Sequence, residues 1–420
     1  MKTGRERRRA RKAALALAAA ALAVAAARSV RMAVAEELFY TEHPDAIRRA
    51  AALEPRRALY HLGAAEAEIL AGKDPRERLR AAVRASPYDA SLRVRLGLEA
   101  EARGDLAEAQ AELLAAAARS RKHLPRWTLA GYFFRRGDQK RFWPWAGAAF
   151  AVAPGSPEAL FDLCWKMEPD AAAILERALP ERPGVRVAFA EFLLRRGEWA
   201  QLAKVAPRLL ESPQPNQVPR LLGLVDGLAA RGEIPAAVEI WNGLCRRGWL
   251  PWDEKEAGAA QWLTNPEFTG FPAGRGFDWR LNEAPGVSFR PARGGGLRIE
   301  LSGRQPEQAW LLRQTAPALS AGAARLECDY EVRVEPGAAR GRSTGLRWRV
   351  WSGAPGGRLL GELPLPVAGG RVSVPLLVTA AGGRLTVELI HRREPGSPRL
   401  RGRLTLRRVT LELQEAQDEP

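Results

Sequence analysis

Two hydrophobic periods divide this chain. From about residue 40 to 250, apolar positions recur every three or four residues between short Gly-containing turns, which puts one apolar stripe on each of a series of helices. Past about residue 255 the period falls to two. In RLECDYEVRV, starting at Arg325, residues Leu326, Cys328, Tyr330, Val332 and Val334 share one face, while Arg325, Glu327, Asp329, Glu331 and Arg333 share the other. Half-buried antiparallel strands have this pattern. Seven further runs read the same way: GLRIELSG from 296, AWLLRQT from 309, GLRWRVW from 345, RLLGELP from 358, RVSVPLLV from 371, RLTVELI from 384 and RLTLRRVTLEL from 403. The last changes phase near Arg407 and Arg408, which predicts a bulge. Eight strands separated by Gly/Pro turns predict an antiparallel β-sandwich of the jelly-roll kind over residues 256–420.

The segment NPEFTGFPAGRGFDWRL, 265–281, opens that domain. Its glycines and prolines forbid helix, and Phe268, Phe271, Phe277 and Trp279 are expected to pin it across the sandwich core.

The helical half, 36–255, repeats its turns as well as its stripes: ARGDLAEA at 102, RRGDQKRF at 135, RRGEWAQL at 195 and ARGEIPAA at 230. Gly104, Gly137, Gly197 and Gly232 lie 33, 60 and 35 residues apart, a period near 34 with one compressed pair in the gap at 158–183. In the clearest copy Leu96 and Gly97 supply a large and then a small residue, Gly104 makes the turn, and Ala109, Leu113 and Ala116 line the second helix. Small residues there let two helices approach closely. This pattern resembles the tetratricopeptide repeat, which implies an α-solenoid that binds a protein partner. The two RGD triplets, at 103 and 136, read as inter-helix turns in which Gly adopts the left-handed conformation and Asp caps the next helix.

Ahead of the repeats, a basic tail over 1–12 precedes AALALAAAALAVAAA, residues 13–27, within a segment 13–35 expected to be a membrane anchor helix. The positive-inside rule keeps the tail cytoplasmic and places the bulk of the chain on the periplasmic side of an inner membrane, as a single-pass protein. Fifteen helical residues cover only about 22 Å of a hydrocarbon core about 30 Å thick, so Lys12 and Arg28 would have to snorkel. A signal peptide cleaved in AVAEE, 33–37, and a soluble basic helix on a cytosolic adaptor are the alternatives.

The formal net charge of +17 would suggest nucleic acid if it lay in one patch, but +6 of it comes from Lys2, Arg5, Arg7, Arg8, Arg9, Arg11 and Lys12 against Glu6. Elsewhere Arg alternates with Glu and Asp, and no nucleic-acid partner is expected. Three scattered cysteines, Cys164, Cys245 and Cys328, make neither a disulfide framework nor a zinc site. The four histidines lack metal-ligand spacing, and no phosphate loop, HExxH, GxSxG or dinucleotide fingerprint occurs. No catalytic residue, cofactor or metal is therefore expected. The alternative is a glycan-processing enzyme with paired carboxylates in the sandwich.

Two aromatic groups are candidate binding surfaces. Trp127, Phe134 and Trp143, in a cluster with Tyr132, Phe133, Phe142 and Trp145, would line a groove for a protein partner if they are not core. In GLRWRVW, Leu346, Trp348 and Val350 are predicted to point inward, leaving Arg347, Arg349 and Trp351 outward, where two guanidinium groups beside an aromatic plane are expected to hold an acidic glycan. The sandwich layout resembles carbohydrate-binding-module and galactose-binding-like domains, and the whole resembles envelope proteins joining an anchor, helical repeats and a terminal sandwich. That resemblance implies an extracytoplasmic binding scaffold, associated in some such proteins with envelope polysaccharide assembly or export. No sugar-binding motif transfers to numbered residues.

Overall fold

The computed structural model describes residues 4–211, 213–335 and 343–414. Lys2 of the basic tail, and 336–342 and 415–420 of the sandwich, lie outside the described residues. The chain forms two compact units, residues 1–167 and 168–420.

In the first unit, α1 (Gly4–Tyr40) is followed by α2 (Pro44–Leu53), α3 (Ala58–Leu70), α4 (Arg76–Ala85), α5 (Ala90–Ala102), α6 (Leu106–Arg119), α7 (His123–Arg135), α8 (Gln139–Phe150) and α9 (Glu158–Met167). Helix α1 is one unbroken rod, long and apolar enough to cross a membrane. Leu15, Leu17, Leu22, Val24 and Val30 are all more than 60% exposed along it. Its last turns are different: Ala35, Leu38 and Phe39 pack with Ala50, Ala51 and Tyr60, and the Arg31 Nε donates to Glu54 at 2.9 Å. The end of the apolar helix thus belongs to the first helical layer, and α2 is an element that the repeat pattern did not announce.

The expected turns form as read. Gly104 and Gly137 have φ of +83° and +66°, and the carboxylates of Asp105 and Asp138 accept from the Glu108 and Arg141 amides at 3.1 and 3.0 Å. Between α5 and α6 the small residues set the helix spacing. A Cβ on Gly97 would come within 2.8 Å of Leu113 Cγ and 3.2 Å of the Ala109 carbonyl, and Ala109, Leu113 and Ala116 are fully buried. Ala109→Leu or Gly97→Val should therefore destabilise this layer by about 1–3 kcal/mol through overpacking. Arg103→Ala, which loses a contact to the Lys73 carbonyl and a part-exposed ion pair with Asp74, should change it by less than about 1 kcal/mol. Thermal melts of the three variants check the repeat register.

The second unit begins with α10 (Ala171–Arg177), α11 (Pro183–Arg196), α12 (Trp199–Val205), α13 (Val218–Arg231) and α14 (Ile234–Arg246). Gly197 and Gly232 end α11 and α13 in the left-handed conformation. Among the described residues ten strands follow: β1 (Arg280–Leu281), β2 (Val287–Pro291), β3 (Leu297–Ser302), β4 (Gln308–Ala318), β5 (Gly322–Val334), β6 (Ser343–Ser352), β7 (Arg358–Pro366), β8 (Gly370–Val378), β9 (Gly383–Arg392) and β10 (Arg401–Leu413). They form two five-stranded antiparallel sheets, ordered β1-β4-β9-β6-β7 and β2-β3-β10-β5-β8. Without the edge strands β1 and β2, which the alternation pattern did not reveal, the order is that of an eight-stranded jelly roll. The register of β10 against β5 shifts between Leu406 and Arg408, at the predicted bulge.

The lead-in splits its aromatics between two tasks. Phe268 and Trp279 join the sandwich core, with the Trp279 ring between those of Phe268 and Trp348 and tilted against both, at 5.6 and 5.7 Å. Phe277 instead meets Trp241 of α14 edge-on at 5.5 Å, and Phe271 is 52% exposed. The expectation that all four pin the sandwich core is corrected accordingly, because residues 275–280 face α13. There Asp226 accepts from the Gly276 amide at 2.7 Å and forms an ion pair with Arg280.

Candidate functional site

Strand β6 alternates as its sequence requires. Leu346, Trp348 and Val350 are buried in the sandwich, and Arg347, Arg349 and Trp351 lie half-buried on the opposite face. Antiparallel register fixes what stands beside them. Arg349 is directly opposite Glu388 of β9 on one side and Glu362 of β7 on the other; Glu388 is opposite Arg313 of β4, which is opposite Arg280 of β1. One row of charges therefore crosses all five strands. Trp310, Ile390 and Arg347 share the neighbouring row on one side, and Thr315, Thr386 and Trp351 the row on the other.

The charges in this row are matched. Arg347 Nη1 and Arg349 Nε each donate to Glu362 at 2.8 Å, so one carboxylate engages both cations. Burial alone would raise the Glu362 pKa, but the bonds from Arg349 and Arg347 outweigh it and hold the group below its ordinary value. Glu388 is 4% exposed and accepts from Arg313 Nη2 at 2.8 Å and from Trp351 Nε1 at 2.7 Å. The Arg349 guanidinium lies 5.8 Å from the centre of the Trp351 ring, and that of Arg313 lies 4.5 Å from Trp310. Trp351 is thus held by its edge and flanked by a cation, which fixes the plane of its ring. Glu388, Glu362, Trp310 and Arg313 were not singled out from the sequence. Each lies on a different run from Arg349 or far from it in sequence, and only the strand order brings them together.

The aromatic cluster of α7 and α8 is largely interior. Tyr132, Phe133 and Phe142 are buried, and Trp143 is 6% exposed with its ring edge-on to Phe142 at 4.9 Å. Trp143 therefore acts as a packing residue and offers a partner little surface. Trp127 and Phe134 remain half-buried, Trp127 stacked on His123 at 6.0 Å.

Among the described residues, no group of three or more His, Cys, Asp or Glu side chains is placed to hold a metal ion. The three thiols are free, and burial pushes those of Cys245 and Cys328 up to about 12. His391 is buried at the end of β9, and its burial lowers its pKa.

No protein-family signature and no curated protein sequence matches the chain. Solved structures do resemble it. A CBM4 structure is 9% identical, covering 36% of this chain and 99% of that one at a TM-score of 0.27. PilF of Pseudomonas aeruginosa is 15% identical, covering 53% and 91% at a TM-score of 0.24. The carbohydrate-binding module TmCBM27, which recognises mannan, is 17% identical, covering 33% and 89% at a TM-score of 0.21.

Proposed function

We propose that this protein is a membrane-anchored binding scaffold without catalytic activity, in which the helical repeats hold a protein partner and the jelly roll binds glycan. The observation that carries the glycan half is the oriented Trp351 ring on the outer sheet face, fixed by Glu388 and Arg349. A rigid aromatic plane beside polar groups gives a sugar ring stacking and hydrogen bonding together. The two carboxylates of this face favour binding over hydrolysis, because each is already engaged by arginine, Glu388 by Arg313 and Glu362 by Arg347 and Arg349. For the anchor, the support is the exposed apolar length of α1. Retention would place the repeats and the jelly roll in the periplasm of a bacterial envelope, where polysaccharide assembly or export would use such a protein.

Trp351→Gln tests the glycan site, since it keeps an N–H for Glu388 while removing the ring. It should weaken retention in affinity electrophoresis on a bound polysaccharide by about tenfold, the scale of one lost stacking contact. Trp351→Ala would also leave a buried Glu388 oxygen without its donor, so its thermal midpoint should fall, by about 1–3 kcal/mol of stability. Membrane fractionation with alkaline extraction, using a C-terminal tag, tests the anchor: the tag should remain with the membrane, and release into the soluble fraction would overturn this part of the reading.

A further inference from the structure

At one end of the jelly roll, where β4, β6 and β8 stop and β7 and β9 begin, a pocket of about 380 Å³ opens beside the C-terminal end of α13. Arg231 and Arg384 line it, with the hydroxyl residues Ser352 and Thr379, and no Asp or Glu does among the described residues. This departs from the pattern on the sheet face, where Arg280 pairs with Asp226, Arg313 with Glu388, and Arg347 and Arg349 with Glu362.

Of the two pocket cations, Arg231 is stacked on Trp199, its guanidinium 4.7 Å from the ring centre. Among the described residues Arg384 has one hydrogen-bond partner, the Ala230 carbonyl, to which its Nη1 donates at 3.3 Å, and its Nε is buried without a partner among them. Burial, and then the like charges of Arg280 and Arg313, pull the Arg384 pKa down. An anion entering the pocket would relieve that repulsion and complete the guanidinium's hydrogen bonding.

The position of Arg384 suggests which anion. Thr386 stands directly opposite Trp351, and Arg384 shares its face two residues further along β9, which makes it the diagonal neighbour of Trp351 at about 7–8 Å, within the span of a substituted sugar ring. The corner is pinned, with the Gly353 amide donating to the Arg384 carbonyl at 2.7 Å and the Thr386 hydroxyl to the Gly353 carbonyl at 2.6 Å. Arg347 and Arg349, the cations expected from sequence to meet an acidic glycan, are already engaged by Glu362. We propose that Arg384 is the residue of this face that reads charge, binding the carboxylate of a uronic-acid unit whose ring lies against Trp351. This rests on the glycan reading above.

The test is affinity electrophoresis of the detergent-solubilised full chain in gels containing polygalacturonate or neutral hydroxyethylcellulose. Arg384→Gln should weaken retention on polygalacturonate by about tenfold, as loss of one charge-assisted fork requires. Arg371→Gln, which removes an equal charge from an exposed site on β8, should leave retention unchanged within about twofold. The second variant separates a specific carboxylate contact from general attraction of a +17 chain to a polyanion. Equal losses in both variants would overturn the proposal, as would polygalacturonate retention indifferent to Arg384→Gln. Retention on hydroxyethylcellulose alone would overturn it while leaving the glycan reading intact, and retention on neither gel would overturn both. If Arg384→Gln fails to fold, Arg384→Lys decides, because it keeps the charge and loses the fork. Its retention should fall, and unchanged retention would count against Arg384.

Discussion

Trp279→Ala should cost the second unit about 3–5 kcal/mol, among the largest single-residue losses available in the sandwich. The indole is fully buried, packs between Phe268 and Trp348, and donates from Nε1 to the Asn265 carbonyl at 3.2 Å. Removing it leaves a cavity at the centre of the core and strips the lead-in of its main attachment. For a unit of this size the thermal midpoint should drop by about 6–20 °C. Phe271→Ala provides the contrast: the ring is 52% exposed, and the change should fall within about 0.5 kcal/mol. Differential scanning calorimetry of the two variants checks the division of labour within the segment. Equal losses would mean that Phe271 is core and the fold of the lead-in is misplaced.

That segment marks the limit of what alternation can convey. A run such as RLECDYEVRV is legible because every second side chain shares a fate, and β5 forms over it with Leu326, Cys328 and Tyr330 buried as the pattern demands. Residues 265–281 have no period. Asn265 and Phe268 both adopt φ of +52°, so successive aromatics leave the chain in directions that spacing cannot foretell. Phe277 could not be assigned to α14 from the sequence, because its partner Trp241 lies on a helix whose own stripe is already accounted for. The repeats were more legible, since Gly104, Gly137, Gly197 and Gly232 carry a conformational requirement that only the turn explains. Helix α2 escaped because its layer is completed by the end of the apolar helix, a segment that reads from composition as membrane alone.

The candidate site shows the same division. That Arg347, Arg349 and Trp351 leave the core follows from the pleat of a single strand. That Glu362 engages both arginines follows from strand order, which local pattern does not encode. The same holds for the arginine-rich composition. In the repeats Arg135 pairs with Glu101, Arg95 with Glu66 and Arg220 with Glu191, each partner about one repeat away, so much of the positive charge is matched between successive helix pairs. A net charge summed over the sequence hides that pairing.

Lys255→Met should raise stability at pH 7 and remove a pH dependence. Lys255 as a whole is 9% exposed, and its Nζ donates to the Trp262 carbonyl at 3.1 Å, while Asn242 clamps its backbone through bonds of 2.7 and 2.9 Å. Burial lowers its pKa from 10.5 to about 8, against weaker opposing effects from Cys245, Asp253 and Asp278. A folded-state pKa below the unfolded one means that, between about pH 8 and 10.5, the unfolded chain binds more protons, so this residue's contribution to stability rises with pH across that window. Below pH 8 the fold carries the full penalty of a buried charge, about 3 kcal/mol; above 10.5 the penalty is gone. Cys245 and Cys328 act in the opposite direction, because thiols raised to about 12 stay protonated in the fold while the unfolded chain ionises them near 9. The diagnostic quantity is therefore the difference between wild type and variant, in which the Cys328 contribution cancels, while that of Cys245, whose pKa the ammonium group itself lowers, changes with the substitution. Lys255→Met should exceed wild type by up to about 3 kcal/mol at pH 7, less what the Trp262 carbonyl loses with its donor. The gap should close as pH rises from 8 to 10.5. Denaturant melts at pH 7, 9 and 10.5 measure it, and a gap independent of pH would mean that Lys255 is hydrated and retains an ordinary amine pKa.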